Sequence, residues 1–354
     1  GILRFMKKIT ITPNITIQEA MKKMSDSGEK CLIIVNENNL VLGTLSDGDL
    51  RKAILNGLGS GDMIENIYQT KPTIVFKDKY NLEELKKIFI KHKYDLIPVV
   101  NSNKELVDVL FWENIIKDDS IIKKKNYDIP VAIMAGGQGK RMEPFTNVLP
   151  KPLVPVHDKP IIEHIIDSFT ELGCNNFYIT VNYKSKIMKA YFEELKPSYN
   201  INFVDEVAPL GTAGSLGYLK EIIKSPFFVT NCDILIKSNY GSLYNFHLKG
   251  NYDITLVASA KEYIIPYGTC ELDSNGQLLR INEKPQYDFL INTGLYILNA
   301  EILELIPKNK FYHITHLIEE AKQKGKKIGV FPIHDDDWMD VGQWAEYKKT
   351  IGRL

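Results

Sequence analysis

The stretch that decides the fold of the larger domain is AGGQGKRMEPFTNVLPKPLVPV, from Ala135 to Val156. It follows the apolar run DIPVAIM, which is typical of a buried strand. Three glycines, a Lys-Arg pair and a Pro-Lys-Pro step predict a loop that holds phosphate, because glycine lets main-chain N–H groups approach an anion closely. The loop fits neither common phosphate motif. The P-loop needs Gly where Met134 stands, and the dinucleotide motif needs Gly where Met142 stands.

Length and composition limit the classes of function. The 354 residues suffice for two domains, and 44 basic residues against 44 acidic ones create no global field that favours nucleic acid or an anionic membrane. No run approaches the roughly 18 apolar residues of a membrane span, and no signal peptide is apparent. The four cysteines form no C-x-x-C pair. These features predict a soluble, cytoplasmic protein. Because Gly1 is no natural start, Met6 is expected to begin the native chain.

An internal repeat precedes residue 120. Each copy reads as a short strand, an amphipathic helix, a buried strand, a hairpin turn, a strand and a helix. A unit of about sixty residues buries little surface alone, so the two copies are expected to pack together. The matching segments are ITIT, IQEAMKKMSDSG, CLIIV and LVLGTLSDGDLRKAIL in the first copy, and TIVF, LEELKKIFIKHK, DLIPVV and ELVDVLFWENII in the second.

This order, with LGTLSDGDL closing the first copy, resembles a tandem CBS pair, an α+β module that senses adenosine nucleotides. The family's Ser/Thr-x-x-Asp step is matched by Ser46 and Asp49, whereas the second copy has Phe111 and Asn114. The resemblance implies one adenine-nucleotide site at most, at Ser46 and Asp49. Two alternatives stay open: the step only caps a helix, or the pair is a dimerisation device that makes the protein a homo-oligomer.

From Asp128 onward, apolar strands alternate with helical stretches, which predicts an α/β domain with a Rossmann-like, mostly parallel sheet covered on both faces. Ligands of such sheets bind at the carboxyl ends of the strands. The charged segment Asp118 to Asp128 is interpreted as a solvated linker. The predicted domains are therefore residues 6–122 and 128–354. The predicted strands are IPVAIMA, NNFYITVNY, INFVDE, PFFVTNCD and YDITLVASA, and the predicted helices are IIEHIIDSFTELG, SKIMKAYFEEL, AGSLGYLKEII and SLYNFHLKG.

Six motifs in order make the second domain resemble the sugar-phosphate nucleotidyltransferases, which have a GT-A-like fold and join a nucleoside triphosphate to a sugar 1-phosphate. The resemblance covers residues 128–354. It implies transfer of a nucleoside monophosphate with release of pyrophosphate, and because the attacking phosphate is already ionised no general base is needed. The motifs are AGGQGKRMEPFTNVLPKPL, EVAPLGTAGSL, TNCD, EKP, NTGLYI and WMDVGQW.

The same resemblance assigns roles to individual residues. Arg141 is expected to contact the β and γ phosphates, and Lys151 is expected to stabilise the transition state at the α phosphate. Asp233 and Asp340 are expected to hold Mg²⁺, which prefers oxygen ligands. The implied nucleotide-binding residues are Ala135, Gly136, Gly137, Gly139, Glu206, Gly211 and Thr212, and the implied sugar-phosphate-binding residues are Gly214, Glu283, Lys284, Asn292 and Thr293.

Three nearby features are interpreted as having no role in the chemistry. Lys140 is expected to point to solvent, the run Asp335 to Asp337 to form a solvated loop, and His313 with His316 to lack a third metal ligand.

For the substrates, the combination of CBS pair and transferase resembles guanylyltransferases of bacterial surface-sugar pathways. It favours GTP with glucosamine 1-phosphate, as in legionaminic acid synthesis. The alternatives are mannose 1-phosphate with GTP, a thymidylyl- or uridylyltransferase acting on glucose 1-phosphate, and a non-catalytic nucleotide sensor.

Overall fold

The computed structural model describes residues 2–92, 94–112, 115 and 128–352. By their internal contacts these residues form two compact units. One unit contains the N-terminal part of the chain together with Ser259–Ile291 and His334–Asp336, and the other contains the remainder. The sequence analysis predicted one domain boundary, between residues 122 and 128, and did not predict that these two later segments group with the N-terminal residues.

The described elements of the two repeats follow the predicted order, and most of the last predicted helix of the second repeat lies outside the described residues. In each, a short first strand pairs parallel with the second strand, which pairs antiparallel with the third. Asn114 lies outside the described residues. The elements are α1 (Ile2–Ile9), β1 (Thr10–Ile11), α2 (Ile17–Ser27), β2 (Cys31–Val35), β3 (Val41–Ser46), α3 (Asp47–Leu55), β4 (Val75–Phe76), α4 (Leu82–His92), β5 (Leu96–Val100) and β6 (Leu106–Phe111).

Helix α2 shows how local sequence sets the bounds of these elements. Thr16 caps its start by accepting the Glu19 N–H at 3.2 Å, while the Glu19 carboxylate accepts the Thr16 N–H at 2.7 Å. Gly28 ends the helix with a φ of 72°, which glycine adopts without strain. The predicted apolar face is buried: Ile17, Ala20, Met21 and Met24.

The second unit is built on a seven-stranded sheet in the order β11-β10-β7-β12-β17-β14-β18. Strand β10 is parallel to β7 and β11, β12 is parallel to β7, and β17 is antiparallel to β12. The predicted mostly parallel α/β sheet is confirmed. Its strands are β7 (Val131–Met134), β10 (Asn176–Val181), β11 (Asn200–Asp205), β12 (Phe227–Asn231), β14 (Ile254–Ile264), β17 (Gln286–Leu298) and β18 (Ile328–His334).

Shorter ladders and helices complete the described chain. The two-stranded ladders pair β8 (Pro155–Val156) with β9 (Lys159–Pro160), β13 (Ile234–Ile236) with β19 (Trp338–Asp340), and β15 (Thr269–Leu272) with β16 (Leu278–Asn282). The helices are α5 (Phe145–Val148), α6 (Ile161–Thr170), α7 (Ser185–Leu195), α8 (Tyr240–Lys249), α9 (Ile314–Gln323) and α10 (Trp344–Ile351). No helix in the described ranges is both long and apolar enough to cross a membrane.

Strand β7 shows that the sheet is covered on both faces. Val131 and Ile133 belong to one buried cluster, whereas Ala132 belongs to another, and Met134 packs against that second cluster. Alternate residues of a strand point to opposite faces. The strand that leads into the glycine loop therefore lies at the centre of the domain, which gives the loop a rigid base.

Several elements differ from the sequence predictions, which contained neither helix α1 (Ile2–Ile9) nor the strands that follow β14 in the chain. The stretch predicted as the helix AGSLGYLKEII forms a 3-10 helix over Gly214–Leu219. Its two glycines disfavour a regular α-helix, because glycine loses more backbone entropy than other residues when it is ordered. Strand β17 was not predicted, since Gly294 interrupts its apolar pattern. Gly294 has a φ of 92°, and a Cβ there would lie within 3.1 Å of the Asn231 side chain.

Candidate active site

A short ladder brings together the two aspartates predicted to bind metal. Strand β13 begins directly after Asp233, β19 ends at Asp340, and the two strands pair with Ile234 opposite Asp340. The N–H of Val341 donates to the carbonyl of Asp233 at 2.8 Å. Asp233 also follows the carboxyl end of β12, where open α/β sheets bind ligands. The backbone thus places two carboxylates of distant sequence beside each other.

Gly342 marks the point at which the charged groups converge. A methyl group on Gly342 would lie within 3.0 Å of the nearer oxygens of Asp233 and Asp340 and of the Lys151 ammonium group. A side chain at this position would therefore displace at least one of these charged groups. This role of Gly342 was not predicted, although a glycine two residues after Asp340 was a signal for it.

The electrostatics show how closely these groups interact. Lys151 forms an ion pair with Asp233. Burial alone would lower the pKa of Lys151, but the Asp233 carboxylate outweighs it and raises that pKa. Burial raises the pKa of Asp340, and the charge of Asp233 adds to this, while the Gly342 N–H and the charges of Lys151 and Arg141 act against it. Arg141, although exposed, lies within the field of the same cluster.

The glycine loop is packed directly against the lysine. Gly139 has a φ of 68°, and a Cβ there would lie 2.8 Å from the Thr146 methyl group and 3.1 Å from Lys151 Cβ. The Thr146 hydroxyl donates to the Gly139 carbonyl at 2.9 Å. A Cβ on Gly137 would have no heavy atom of the described residues within 4 Å, apart from those of its chain neighbours. Lys140 is exposed, in line with its predicted orientation toward solvent.

Glu206 lies against the start of the loop. A Cβ on Gly136 would be 2.6 Å from one carboxylate oxygen of Glu206 and 2.7 Å from the other. Glu206 follows the carboxyl end of β11 and is 9% exposed, and its N–H donates to the Val181 carbonyl at 2.9 Å. Burial raises the pKa of this carboxyl, and nearby hydrogen-bond donors act in the opposite direction. Ala135, also predicted at this site, is buried at the carboxyl end of β7.

The PLGTAG turn is held by the segment that precedes α9. The N–H groups of Ala213 and Gly214 donate to the Tyr312 carbonyl at 2.9 and 3.1 Å. A Cβ on Gly211 would lie 2.8 Å from that carbonyl oxygen, so glycine is needed for the close approach. The Thr212 hydroxyl accepts the Ile314 N–H at 2.9 Å and so caps α9. The predicted binding roles of this turn stay predictions, and its observed contacts fix its shape.

The residues predicted to bind the sugar phosphate fall into two groups. Thr293 is buried and donates to the Val257 carbonyl at 2.9 Å, whereas Asn292 is exposed and donates to the Tyr296 hydroxyl at 2.7 Å. Glu283 and Lys284 are exposed on the segment between β16 and β17, which groups with the N-terminal unit. Lys284 has a φ of 43°, an unusual backbone conformation for a residue with a side chain.

In the first CBS repeat, the predicted nucleotide-binding step forms a helix cap. Asp49 N–H donates to the Ser46 hydroxyl at 3.1 Å, and the Ser46 N–H donates to the Asp49 carboxylate at 2.9 Å. The second carboxylate oxygen of Asp49 accepts the Gln69 amide at 3.2 Å. The Ser46-Asp49 step thus caps α3, and its predicted role in nucleotide binding stays a prediction.

The donor set at Gly342 fits a magnesium ion. Two carboxylates that converge on one point match the few protein ligands that Mg²⁺ usually takes. Elsewhere in the described ranges, no group of three or more His, Cys, Asp and Glu side chains is arranged to hold a metal. Asp335 faces Lys261 at 3.7 Å, and the His313 N–H donates to His316 Nδ1 at 3.4 Å.

Comparison with known sequences matches each part of the chain to a protein family. The profile of the nucleotidyl transferase family matches residues 131–352, and the profile of the CBS domain matches residues 3–56 and 64–119.

Among similar proteins, the mannose-1-phosphate guanyltransferase of Yarrowia lipolytica is 35% identical over 226 residues, which cover 61% of this chain and 61% of that protein. The catalytic subunit beta of the mannose-1-phosphate guanylyltransferase of Dictyostelium discoideum is 34% identical over 227 residues, covering 62% and 63%. The alignments thus span less than two thirds of these relatives' own length.

Solved structures show the same fold. HddC from Yersinia pseudotuberculosis has a TM-score of 0.51 at 24% identity, over 64% of this chain and 99% of that chain. A putative glucose-1-phosphate thymidylyltransferase from Bacillus anthracis has a TM-score of 0.51 at 17% identity, over 64% and 94%. The chain belongs to the nucleotidyl transferase family and carries a tandem CBS pair ahead of its transferase domain.

Proposed function

We propose that the protein transfers the nucleoside monophosphate of GTP to a sugar 1-phosphate and releases pyrophosphate. The observation that carries this proposal is the convergence of Asp233, Asp340 and Lys151 at Gly342, beside the glycine loop. Two anions must meet in this reaction, so a site with preorganised cations, main-chain N–H groups and metal-binding carboxylates suits it.

The favoured sugar is mannose 1-phosphate. The names of the relatives reported above support this alternative, and they do not support the sequence-based preference for glucosamine 1-phosphate.

Glu206 supports guanine as the base. The Watson–Crick edge of guanine presents N1–H and an amino group side by side, and a carboxylate can accept both at once. Uracil and thymine present one N–H between two carbonyl oxygens, and these oxygens would repel a carboxylate. Both oxygens of Glu206 lie against Gly136 at the entrance of the phosphate loop, and the residue is largely buried, which strengthens such contacts.

In the proposed reaction, an oxygen of the sugar phosphate attacks the α-phosphorus of GTP, and the bond from that phosphorus to the bridging oxygen of the β phosphate breaks. Pyrophosphate leaves with the electron pair. The glycine-loop amides and Arg141 hold the leaving phosphates, and Lys151 neutralises charge at the α phosphate. Asp233 and Asp340 would hold Mg²⁺, which when bound screens the negative charge of the phosphates.

We also propose that the first CBS repeat binds one adenine nucleotide at Ser46 and Asp49. The support is the position of the Asp49 carboxylate, one oxygen of which accepts the side-chain amide of Gln69 at 3.2 Å. A ribose hydroxyl could take the place of that amide donor.

A substrate panel tests the main proposal. Pyrophosphate release is measured with GTP, ATP, UTP and dTTP, each combined with mannose, glucosamine and glucose 1-phosphates. The expected result is the highest kcat/KM for GTP with mannose 1-phosphate. A preference for dTTP or UTP with glucose 1-phosphate would contradict the assigned base, and release with no pair at all would support a non-catalytic sensor instead.

A further inference from the structure

We propose that Ser60, in the turn between the two CBS repeats, positions the first part of strand β17, next to the predicted sugar-phosphate ligands Glu283 and Lys284, by holding Asp288. The Ser60 hydroxyl donates to the Asp288 carboxylate, and both residues belong to the same compact unit. The inference rests on the proposed function, because it assigns the segment around Asp288 to sugar-phosphate binding.

The turn that carries Ser60 is rigid. Within it, the Gly59 N–H donates to the Asp62 carboxylate at 2.7 Å. The Ile17 N–H donates to the Asp62 carbonyl at 2.8 Å, and the Gln18 N–H donates to the Ser60 carbonyl at 3.0 Å. These two N–H groups belong to the first turn of α2, which has no intrahelical partners for them. The Gly59–Asp62 turn is therefore fixed to the frame of the CBS repeat.

Two glycines in this turn let it approach the strand. A Cβ on Gly59 would lie 2.6 Å from an Asp288 carboxylate oxygen, and a Cβ on Gly61 would lie 3.1 Å from the Gln286 amide nitrogen. Neither glycine has a positive φ. The turn is thus close enough to β17 that a side chain at either glycine would displace the end of the Asp288 or Gln286 side chain.

The strand presents one face to the turn. Gln286 and Asp288 are two residues apart in β17 and so point to the same side. The intervening Tyr287 stacks on Phe289, with ring centroids 6.5 Å apart, and Phe289 also meets Tyr263 at 5.8 Å. The polar and aromatic faces of this part of β17 are therefore distinct, and the polar face contacts the Gly59–Asp62 turn.

Continuity of the chain connects this contact to the proposed sugar site. Strand β17 runs without a break from Gln286 to Leu298, so Asp288 and Asn292 lie on one strand. Asp288 is four residues after Lys284 and four residues before Asn292. A restraint at Asp288 therefore limits the movement of Lys284, a predicted sugar-phosphate ligand in the same compact unit. It is a positioning contact, because Ser60 acts only through Asp288.

The full chain carrying Ser60→Ala tests the proposal against a matched Ser27→Ala control. The Ser27 hydroxyl donates to the Met24 carbonyl of its own helix at 3.1 Å and accepts the Glu29 N–H at 3.3 Å, so both of these contacts are local. For Ser60→Ala, we expect KM for the best sugar 1-phosphate to rise about three- to tenfold, as loss of one hydrogen bond to a carboxylate predicts. KM for the triphosphate and kcat should stay as in the control.

Two further measurements make the result decisive. In Ser60→Ala combined with Asp288→Ala, the two effects should not add, because both remove the same contact. Amide hydrogen exchange over residues 286–291 should speed up in Ser60→Ala and not in the control. This exchange does not depend on turnover, so it decides the positioning claim even if no sugar phosphate proves to be a substrate. Unchanged exchange together with unchanged KM, or fully additive effects, would overturn the proposal.

Discussion

The ammonium group of Lys151 forms an ion pair with the carboxylate of Asp233, and the two side chains are only 14% and 12% exposed. Each group is the main charge partner of the other in a mostly buried position, so loss of either leaves an uncompensated charge. The proposed chemistry uses the same two groups, one for phosphate and one for metal. The pair therefore links the integrity of the site to its activity.

Replacing Asp233 with asparagine should lower kcat by about hundredfold or more, because the variant lacks a charge for the metal and for Lys151. Pyrophosphate release is the measurement, and Asp158→Asn, at an exposed carboxylate, is the control. Near-wild-type turnover by Asp233→Asn would refute its metal-binding role.

Gly342→Ala should also lower kcat by about tenfold or more, because the added methyl group enters the point where three charged groups meet. The fold should persist, since Gly342 has no positive φ and alanine can adopt its backbone conformation. At Gly352 the nearest atom to an added Cβ is the Lys349 carbonyl oxygen at 3.5 Å, an ordinary contact, so Gly352→Ala serves as the control. Equal kinetics in the two variants would show that the space at Gly342 is not needed.

Glu206→Gln should weaken discrimination between bases. An amide accepts only one of the two donors of guanine, so kcat/KM for GTP should fall about ten- to hundredfold. The value for UTP, which does not profit from the carboxylate, should fall less or rise. Parallel losses for both triphosphates would mean that Glu206 supports the loop without reading the base.

Asp340→Asn should stabilise the ligand-free protein at neutral pH. The pKa of Asp340 is raised, so its ionised form is less favourable in the folded than in the unfolded state. The wild type therefore loses stability relative to Asp340→Asn as pH rises from the ordinary aspartate pKa of ~3.9 through the higher folded value. Thermal unfolding of both proteins between acid and neutral pH measures this. A gap that narrows with rising pH would contradict the assigned direction.

Asp49→Ala should abolish adenine-nucleotide binding to the CBS pair in calorimetry. The same change removes half of the cap of α3, so a stability loss of about 1 kcal/mol is expected as well. Asp26→Ala, at an exposed position of α2, should bind as the wild type does. If nucleotide binding survives in Asp49→Ala, the site lies elsewhere.

Local patterns were enough to predict much of the fold. Helix α7 has the bounds of the predicted SKIMKAYFEEL, because its apolar spacing agrees with its burial. The outer half of β17 was missed because its burial on both sides is low and its neighbours come from the N-terminal repeat. Such a strand is stabilised by contacts distant in sequence, which periodicity does not reveal.

For the site, the motifs identified the charged residues but not the spaces between them. Asp233, Asp340 and Lys151 carry recognisable chemistry, so their residue types were enough. The demands on Gly342 and on the pair of Gly59 and Gly61 arise only when distant segments meet. The reason for a glycine at a given position depends on the atoms packed around it, and these are known only from the fold.

The central claim is transfer at the α-phosphorus, and the fate of an α-labelled GTP tests it most directly. The protein is incubated with GTP labelled at the α phosphate, with Mg²⁺ and mannose 1-phosphate, and the products are separated. We predict that the label appears in a GDP-sugar and that unlabelled pyrophosphate forms in equal amount, only when the sugar phosphate is present. Label found in GDP or GMP without a sugar nucleotide, whatever sugar 1-phosphate is supplied, would contradict the account.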